Sequence, residues 1–149
     1  MKWGVAFVAA LCALALLPGL HGAGPFDVHE AQDLQVAREL IEMREGITPV
    51  LGTEPLFEKP LLAYAPDVLS LLVAPTRPLA ASRAWRAVVA ALLVLLTAAT
   101  TARHLGGRAG VCAAAVLATS LVLPLAARLD GTQLLATLFA WIEIGRAHV

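Results

Sequence analysis

An all-α fold is predicted, made of polytopic transmembrane helices with an extracytoplasmic loop of interfacial amphipathic helices. Three observations predict it. The chain of 149 residues is 59% hydrophobic and only 15% charged, with a mean hydropathy of +0.78, too apolar for an ordinary soluble domain of this size. The apolar residues gather in runs long enough to cross a bilayer. Most of the acidic residues gather instead in one segment, 21–83, which has a helical pattern of its own. The formal net charge is +0 and no basic stripe is interleaved with aromatics, so nucleic acid is excluded as a partner. Cys12 and Cys112 both lie inside apolar runs and read as small buried hydrophobes. No CxxC, HExxH, GxGxxG or P-loop pattern occurs.

The first apolar run, 3–20, is flanked by Lys2. A helix over a run of about this length crosses the roughly 30 Å hydrocarbon core. The alternative is a cleaved signal peptide. The following "LHGAGP" lacks a small-x-small cleavage site, because Leu20 and His21 occupy the key places. An uncleaved first helix with Lys2 in the cytoplasm is therefore expected.

The segment 21–83 opens with Pro25 and Asp27. "HEAQDLQVARELIEMRE" then sets Leu34, Ala37, Leu40 and Ile41 on one helical face, with Asp33, Arg38, Glu42 and Glu45 on others. Asp27 is the expected N-cap and Gly46 the expected stop. The helix is expected in the interface plane, its acidic ends projecting from the membrane surface. In "TPVLGTEPLFEKP", Pro49, Gly52, Pro55 and Pro60 exclude a long helix and predict defined turns. "LLAYAPDVLSLLV", 61–73, is apolar but interrupted by Pro66 and Asp67. It reads as a second interfacial segment, with Tyr64 near the headgroups.

Two further spans are expected over 85–103 and 109–127, joined at Gly106–Gly107 in a tight turn. Arg103 and Arg108 beside that turn mark the cytoplasmic side. Counting crossings puts 21–83 outside. A partial fourth helix covers 134–142. Abundant alanine would let these helices approach closely. The final "EIGRAHV", 143–149, reads as the translation of a DNA-sequencing adapter. It is assigned no chemistry, His148 included, and residues 1–142 are expected to be the N-terminal part of a longer protein.

Glu30, Ala37-Arg38-Glu39, Thr48-Pro49, Gly52, Glu54-Pro55, Phe57-Glu58-Lys59-Pro60 and Tyr64 follow one another in an order and spacing with a known counterpart. Arg83, "GGRAG" and "LATS" extend it. Over nearly all of 1–142 the sequence resembles the membrane glycosyltransferases of the dolichyl-phosphate-mannose protein mannosyltransferase type, a clan that includes the aminoarabinose transferase acting on lipid A. Their pattern is an acidic pair opening a helix that ends in "ARE", then "TP…G.PYFEKPPL.Y". The resemblance implies a GT-C-like membrane fold in a bacterial-type plasma membrane, with the active-site loop extracytoplasmic. It implies a polyprenyl-phosphate-sugar donor, a lipid, glycan or protein acceptor, and the lipid bilayer as partners. Lys59 would touch the donor phosphate and Glu58 would lie at a position for a divalent metal ion.

Sugar transfer needs a base for the acceptor hydroxyl and a cation for the departing phosphate. The family's catalytic acid aligns with His29, while Glu30 holds the next acidic place and Asp27 lies upstream. Asp27, His29 and Glu30 are thus the candidates for the base. A second family acid aligns with Gln133, three residues after Asp130. These departures leave a second function open: a non-catalytic membrane protein of the same fold, a scaffold or sugar-lipid binder.

Overall fold

The computed structural model describes residues 2–22, 24–25, 27–43, 48–129 and 131–147, with the side chains of residues 2, 3 and 145–147 excepted. The described chain is mostly helical. Among the described residues seven α-helices follow one another: α1 (Lys2–Leu16), α2 (Val28–Glu42), α3 (Ala65–Val73), α4 (Pro78–Leu105), α5 (Gly107–Thr119), α6 (Val122–Leu129) and α7 (Gly131–Ala147). Two two-residue strands, β1 (Val50–Leu51) and β2 (Glu54–Pro55), pair antiparallel around a turn in which Gly52 takes φ 69°. A 3-10 turn, Leu61–Tyr64, leads into α3.

α1, α4, α5, α6 and α7 share one apolar core, centred on Val8, Leu16, Ala90, Val94, Ala114 and Leu134. Small residues set the approach of α4 and α5. A Cβ added to Gly110 would fall 2.6 Å from the Ala98 carbonyl oxygen and 2.7 Å from the Ala102 Cβ. At the same end, a Cβ on Gly4 of α1 would fall 2.8 Å from a Val111 methyl. Glycine at these crossings exchanges side-chain volume for backbone contact, as in helix pairs packed in lipid. Gly106, at φ 91°, makes the single-residue reversal between α4 and α5.

Among the described residues only α4 is long and apolar enough to cross a membrane by itself. Its 28 residues are about 42 Å long at 1.5 Å per residue. It starts at Pro78 rather than near Trp85, because proline is well placed at a helix start and Ser82, Arg83 and Arg86 find partners there. The run expected as one span over 109–127 is two helices, α5 and α6, bent by 52°. Ser120 is extended at the break, so Pro124 falls in the first turn of a new helix, where its missing N–H is not needed. α1 stops at Leu16 rather than Leu20, since Pro18 and Gly19, at φ 84°, cannot continue it. α7 begins at Gly131, before Leu134, and runs through Glu143 to Ala147 without a break.

Hydroxyls in the apolar helices bond to their own backbone. Thr97 Oγ1 donates to the Leu93 carbonyl, and Thr137 Oγ1 to Gln133, at 2.8 and 2.7 Å. Such back-bonds satisfy a polar group where water is scarce.

The loop segment differs from expectation in its faces. α2 buries Glu30, Asp33, Val36 and Ala37, while Ile41 is exposed. Its acids at 30 and 33 therefore point into the protein instead of projecting outward, because cations from α4 and from Lys59 meet them there. Pro66 does not interrupt the next segment; it occupies the first turn of α3. Tyr64, expected near headgroups, is buried. The expected stop at Gly46 lies outside the described residues, and α2 is capped at Met43.

Candidate functional site

Among the described residues the buried charged side chains, Glu30, Asp33, Asp67, Arg83 and Arg86, collect at one end of the helix bundle. Arg83 fixes that end. Its Nε and Nη2 each donate at 2.8 Å to one oxygen of Glu30. Its remaining N–H groups reach the carbonyls of Gly19, Gly22 and Gly24, so one guanidinium ties α4 to α2 and to the link after α1. The match is planar and bidentate, the geometry for which arginine suits a carboxylate better than lysine does.

Arg86, one turn further along α4, stands 3.6 Å from Glu30 Oε1 and 3.5 Å from Asp67 Oδ1. It also donates to the Arg128 carbonyl at 3.4 Å, and Gly131 packs on its side chain, leaving 3.1 Å for a Cβ. The start of α7 is thus built onto Arg86. Asp67 also accepts a hydrogen bond from Ser82. Burial pushes the Asp67 carboxyl above its ordinary 3.8, although Arg86 and the Ser82 hydroxyl pull the other way. Glu30, Asp67, Ser82, Arg83 and Arg86 are all buried. Ions this deep persist only when their hydrogen-bonding capacity is met.

Lys59 lies at the edge of this network. The β1–β2 turn positions its loop, for Gly52 N donates to both carboxylate oxygens of Glu39 on α2 at 3.1 and 2.9 Å. The Lys59 ammonium then donates to both oxygens of Asp33, each at 2.9 Å. This pair is more open, with side-chain exposures of 16% for Lys59 and 9% for Asp33.

Tyr64 completes the corner. It is 1% exposed, and its hydroxyl has no hydrogen-bond partner among the described residues. Burial, then the carboxylates of Asp33 and Glu58, raise its pKa above the ordinary 10.0, so it stays a proton donor at neutral pH. An unpaired buried donor costs about 1–3 kcal/mol.

The sequence-based candidates separate in this frame. Asp27 is the N-cap of α2, its carboxylate accepting from Val28 N at 2.6 Å. His29 is exposed in the first turn of α2. It precedes Asp33 by one turn, a spacing that makes side chains neighbours on a helix. Glu30 is buried, with both oxygens on Arg83. Glu58 is exposed beside Lys59. Among the described residues no three His, Cys, Asp or Glu side chains are grouped so that they could together hold a metal ion. Gln133 lines an apolar groove, and Asp130 lies outside the described residues.

Sequence reasoning missed Asp33, Tyr64, Asp67, Ser82 and Arg86 as members of the site. One signal was present. Glu30 and Asp33 share the i, i+3 spacing of Arg83 and Arg86, two acids and two cations each on one helical face. A large apolar groove lies apart from the site. It has a volume of about 730 Å³, runs between α4, α5, α6 and α7, and is lined mainly by apolar side chains, among them Leu93, Val116, Leu123 and Trp141. No family model, curated protein or solved structure matches this chain.

Proposed function

We propose that the chain is the N-terminal part of an integral-membrane glycosyltransferase of GT-C-like fold. It moves a sugar from a polyprenyl-phosphate donor to a lipid, glycan or protein acceptor at the extracytoplasmic face of a bacterial-type plasma membrane. The observation that carries the reading is the meeting of Lys59 with α2: a proline-flanked loop cation and an acidic helix, far apart in sequence, share one corner at the end of an apolar bundle. The bundle surface supports a lipid setting. Val88, Leu92 and Leu95 are exposed on one side of α4 while Ala90 and Val94 are buried on the other. A helix apolar on both sides suits a bilayer or a large protein interior.

In this reading the acceptor oxygen attacks the anomeric carbon and its proton passes to a base. The bond from that carbon to the phosphate oxygen breaks, and its electron pair leaves with the phosphate. Lys59 stabilises the departing charge, a compact ammonium suited to a phosphate oxygen. His29 is the base, as it is exposed and one turn from Asp33, whereas Glu30 is committed to Arg83 and Asp27 to capping α2. No step is assigned to a metal ion.

Membranes containing the protein, given labelled polyprenyl-phosphate sugar, test this. Lys59→Ala is expected to abolish transfer without preventing membrane insertion; unchanged turnover rejects the phosphate role. His29→Ala is expected to remove transfer and His29→Asp to keep it, and wild-type rates for the alanine variant would return the role to Asp27 or Glu30.

One observation favours the second reading, a sugar-lipid binder that performs no transfer. Glu30 holds the second place of the family's acidic pair and has both oxygens bound by Arg83. Retained binding of polyprenyl-phosphate sugar with no turnover in wild type would select that reading.

A further inference from the structure

We infer that Asp33 is the resident counter-ion of the Lys59 site: its carboxylate holds the ammonium between turnovers, and the donor phosphate displaces it. The inference rests on the reading of Lys59 as the phosphate-binding residue and adds how that site is filled and emptied.

The geometry is that of a phosphate stand-in. Two oxygens of one anionic group lie 2.9 Å from the same Nζ, as two oxygens of a phosphate could. The pair also differs from its neighbours in how it is held. Arg83 and Glu30 are both anchored on helices and fully enclosed, whereas Lys59 comes from the loop between β2 and the Leu61–Tyr64 turn and keeps 16% of its side chain exposed. Lys59 is on a loop and within reach of solvent, whereas exchange at Arg83 would dismantle the end of the bundle.

Tyr64 is the second, independent observation. Its buried hydroxyl has no partner among the described residues and feels the carboxylates of Asp33 and Glu58. A donor left without an acceptor, within the field of the carboxylate that holds the cation, is what remains when an arriving anion is to supply a further oxygen. The phosphate would accept from Lys59 and Tyr64 together, and Asp33 would turn toward solvent.

The same carboxylate then favours release. The donor is a phosphodiester with one negative charge. The spent carrier is a monoester whose second ionisation falls near neutral pH, so it binds a bare ammonium more tightly than the donor does. Asp33 repels that product and reclaims Lys59. A site with Lys59 alone would retain its product.

The test uses the full chain in nanodiscs, with farnesyl phosphate as the probe and binding read by calorimetry. Asp33→Asn is expected to tighten binding by about three- to tenfold. Placed together with Lys59→Ala, the substitution is expected to change nothing further. In turnover with polyprenyl-phosphate sugar, Asp33→Asn is expected to lower KM and to increase inhibition by added farnesyl phosphate. If Lys59→Ala binds the probe as wild type does, the phosphate role of Lys59 fails. If Lys59→Ala weakens binding but Asp33→Asn leaves it unchanged or weaker, the counter-ion role fails while Lys59 stands. Asp33→Ser provides a second removal of the charge. Loss of the fold in both variants, read by helical circular dichroism and melting, overturns the inference, because a displaceable carboxylate is not required for folding.

Discussion

Two ion pairs lie side by side at the end of this bundle, made of the same kinds of side chain and set only one helical turn apart on α2. Glu30–Arg83 is enclosed, bidentate and tied to three further carbonyls. Asp33–Lys59 is partly open and joins a helix to a loop. The difference in burial decides what each can do. A charge pair sealed from water is expensive to separate, since either ion alone would be stranded in a low dielectric. A pair that water reaches exchanges partners at modest cost. The enclosed pair therefore assembles the α1, α2 and α4 ends, and the open pair is the part of the network that solvent reaches.

Breaking the enclosed pair should give the largest effect. Arg83→Ala removes the bidentate partner of buried Glu30, leaving Arg86 3.6 Å away, and releases the carbonyls of Gly19, Gly22 and Gly24, with an expected loss of about 3–5 kcal/mol in stability. Reversible unfolding in detergent micelles, followed by circular dichroism, measures it. A loss below 1 kcal/mol would show that solvent reaches this pair as well, and the contrast between the two pairs would disappear.

The helix crossing supplies an uncharged control of intermediate size. Gly110→Ala places a methyl within 2.6 Å of the Ala98 carbonyl oxygen, forcing α4 and α5 apart. A destabilisation of about 1–3 kcal/mol is expected in the same unfolding experiment, with sugar transfer reduced only as far as folded protein is lost. Lys59→Ala should reverse that pattern, costing only about 1–2 kcal/mol in stability while abolishing transfer.

Tyr64→Phe removes a buried hydroxyl that has no acceptor among the described residues. Thermal melting without ligand should show an unchanged or higher stability, by up to about 1 kcal/mol, while affinity for farnesyl phosphate falls. Lower stability would mean that the hydroxyl is paired in the resting protein.

Asp67 sharpens the comparison by pH. Its folded-state pKa is raised above the ordinary 3.8, by burial first. As pH rises past that value the unfolded chain gives up its proton before the folded protein does. The contribution to stability is therefore complete below pH 3.8 and is lost as pH climbs through the raised folded value. Melting of wild type against Asp67→Asn over that range should show a downward slope in wild type that the variant lacks. This is the smallest of the expected effects, because Arg86 and Ser82 oppose the shift.

Much of the helical layout can be read from residues 2–147 in isolation. The apolar runs give α1, α4 and α7, Gly106 marks the reversal, and Asp27 marks the start of α2. The bend between α5 and α6 was legible only in part: Pro124 signals that helix cannot continue unbroken, but 52° is a result of packing. The inner face of α2 was misread for a clear reason. Periodicity assigns hydrophobic residues to the buried side, and it has no means of knowing that Arg83 and Arg86 wait opposite Glu30.

The sequence by itself determined the helical class, the segregation of polar residues into one segment and the turns around Gly52 and Pro60, because each follows from local backbone preference or from the exclusion of apolar side chains from water. Tertiary structure alone decided which charges became internal. Whether an aspartate is a solvated surface group or the partner of a lysine 26 residues away depends on which desolvation penalties are met by which cations, and that balance exists only once α2, α3, α4 and the loop have come together.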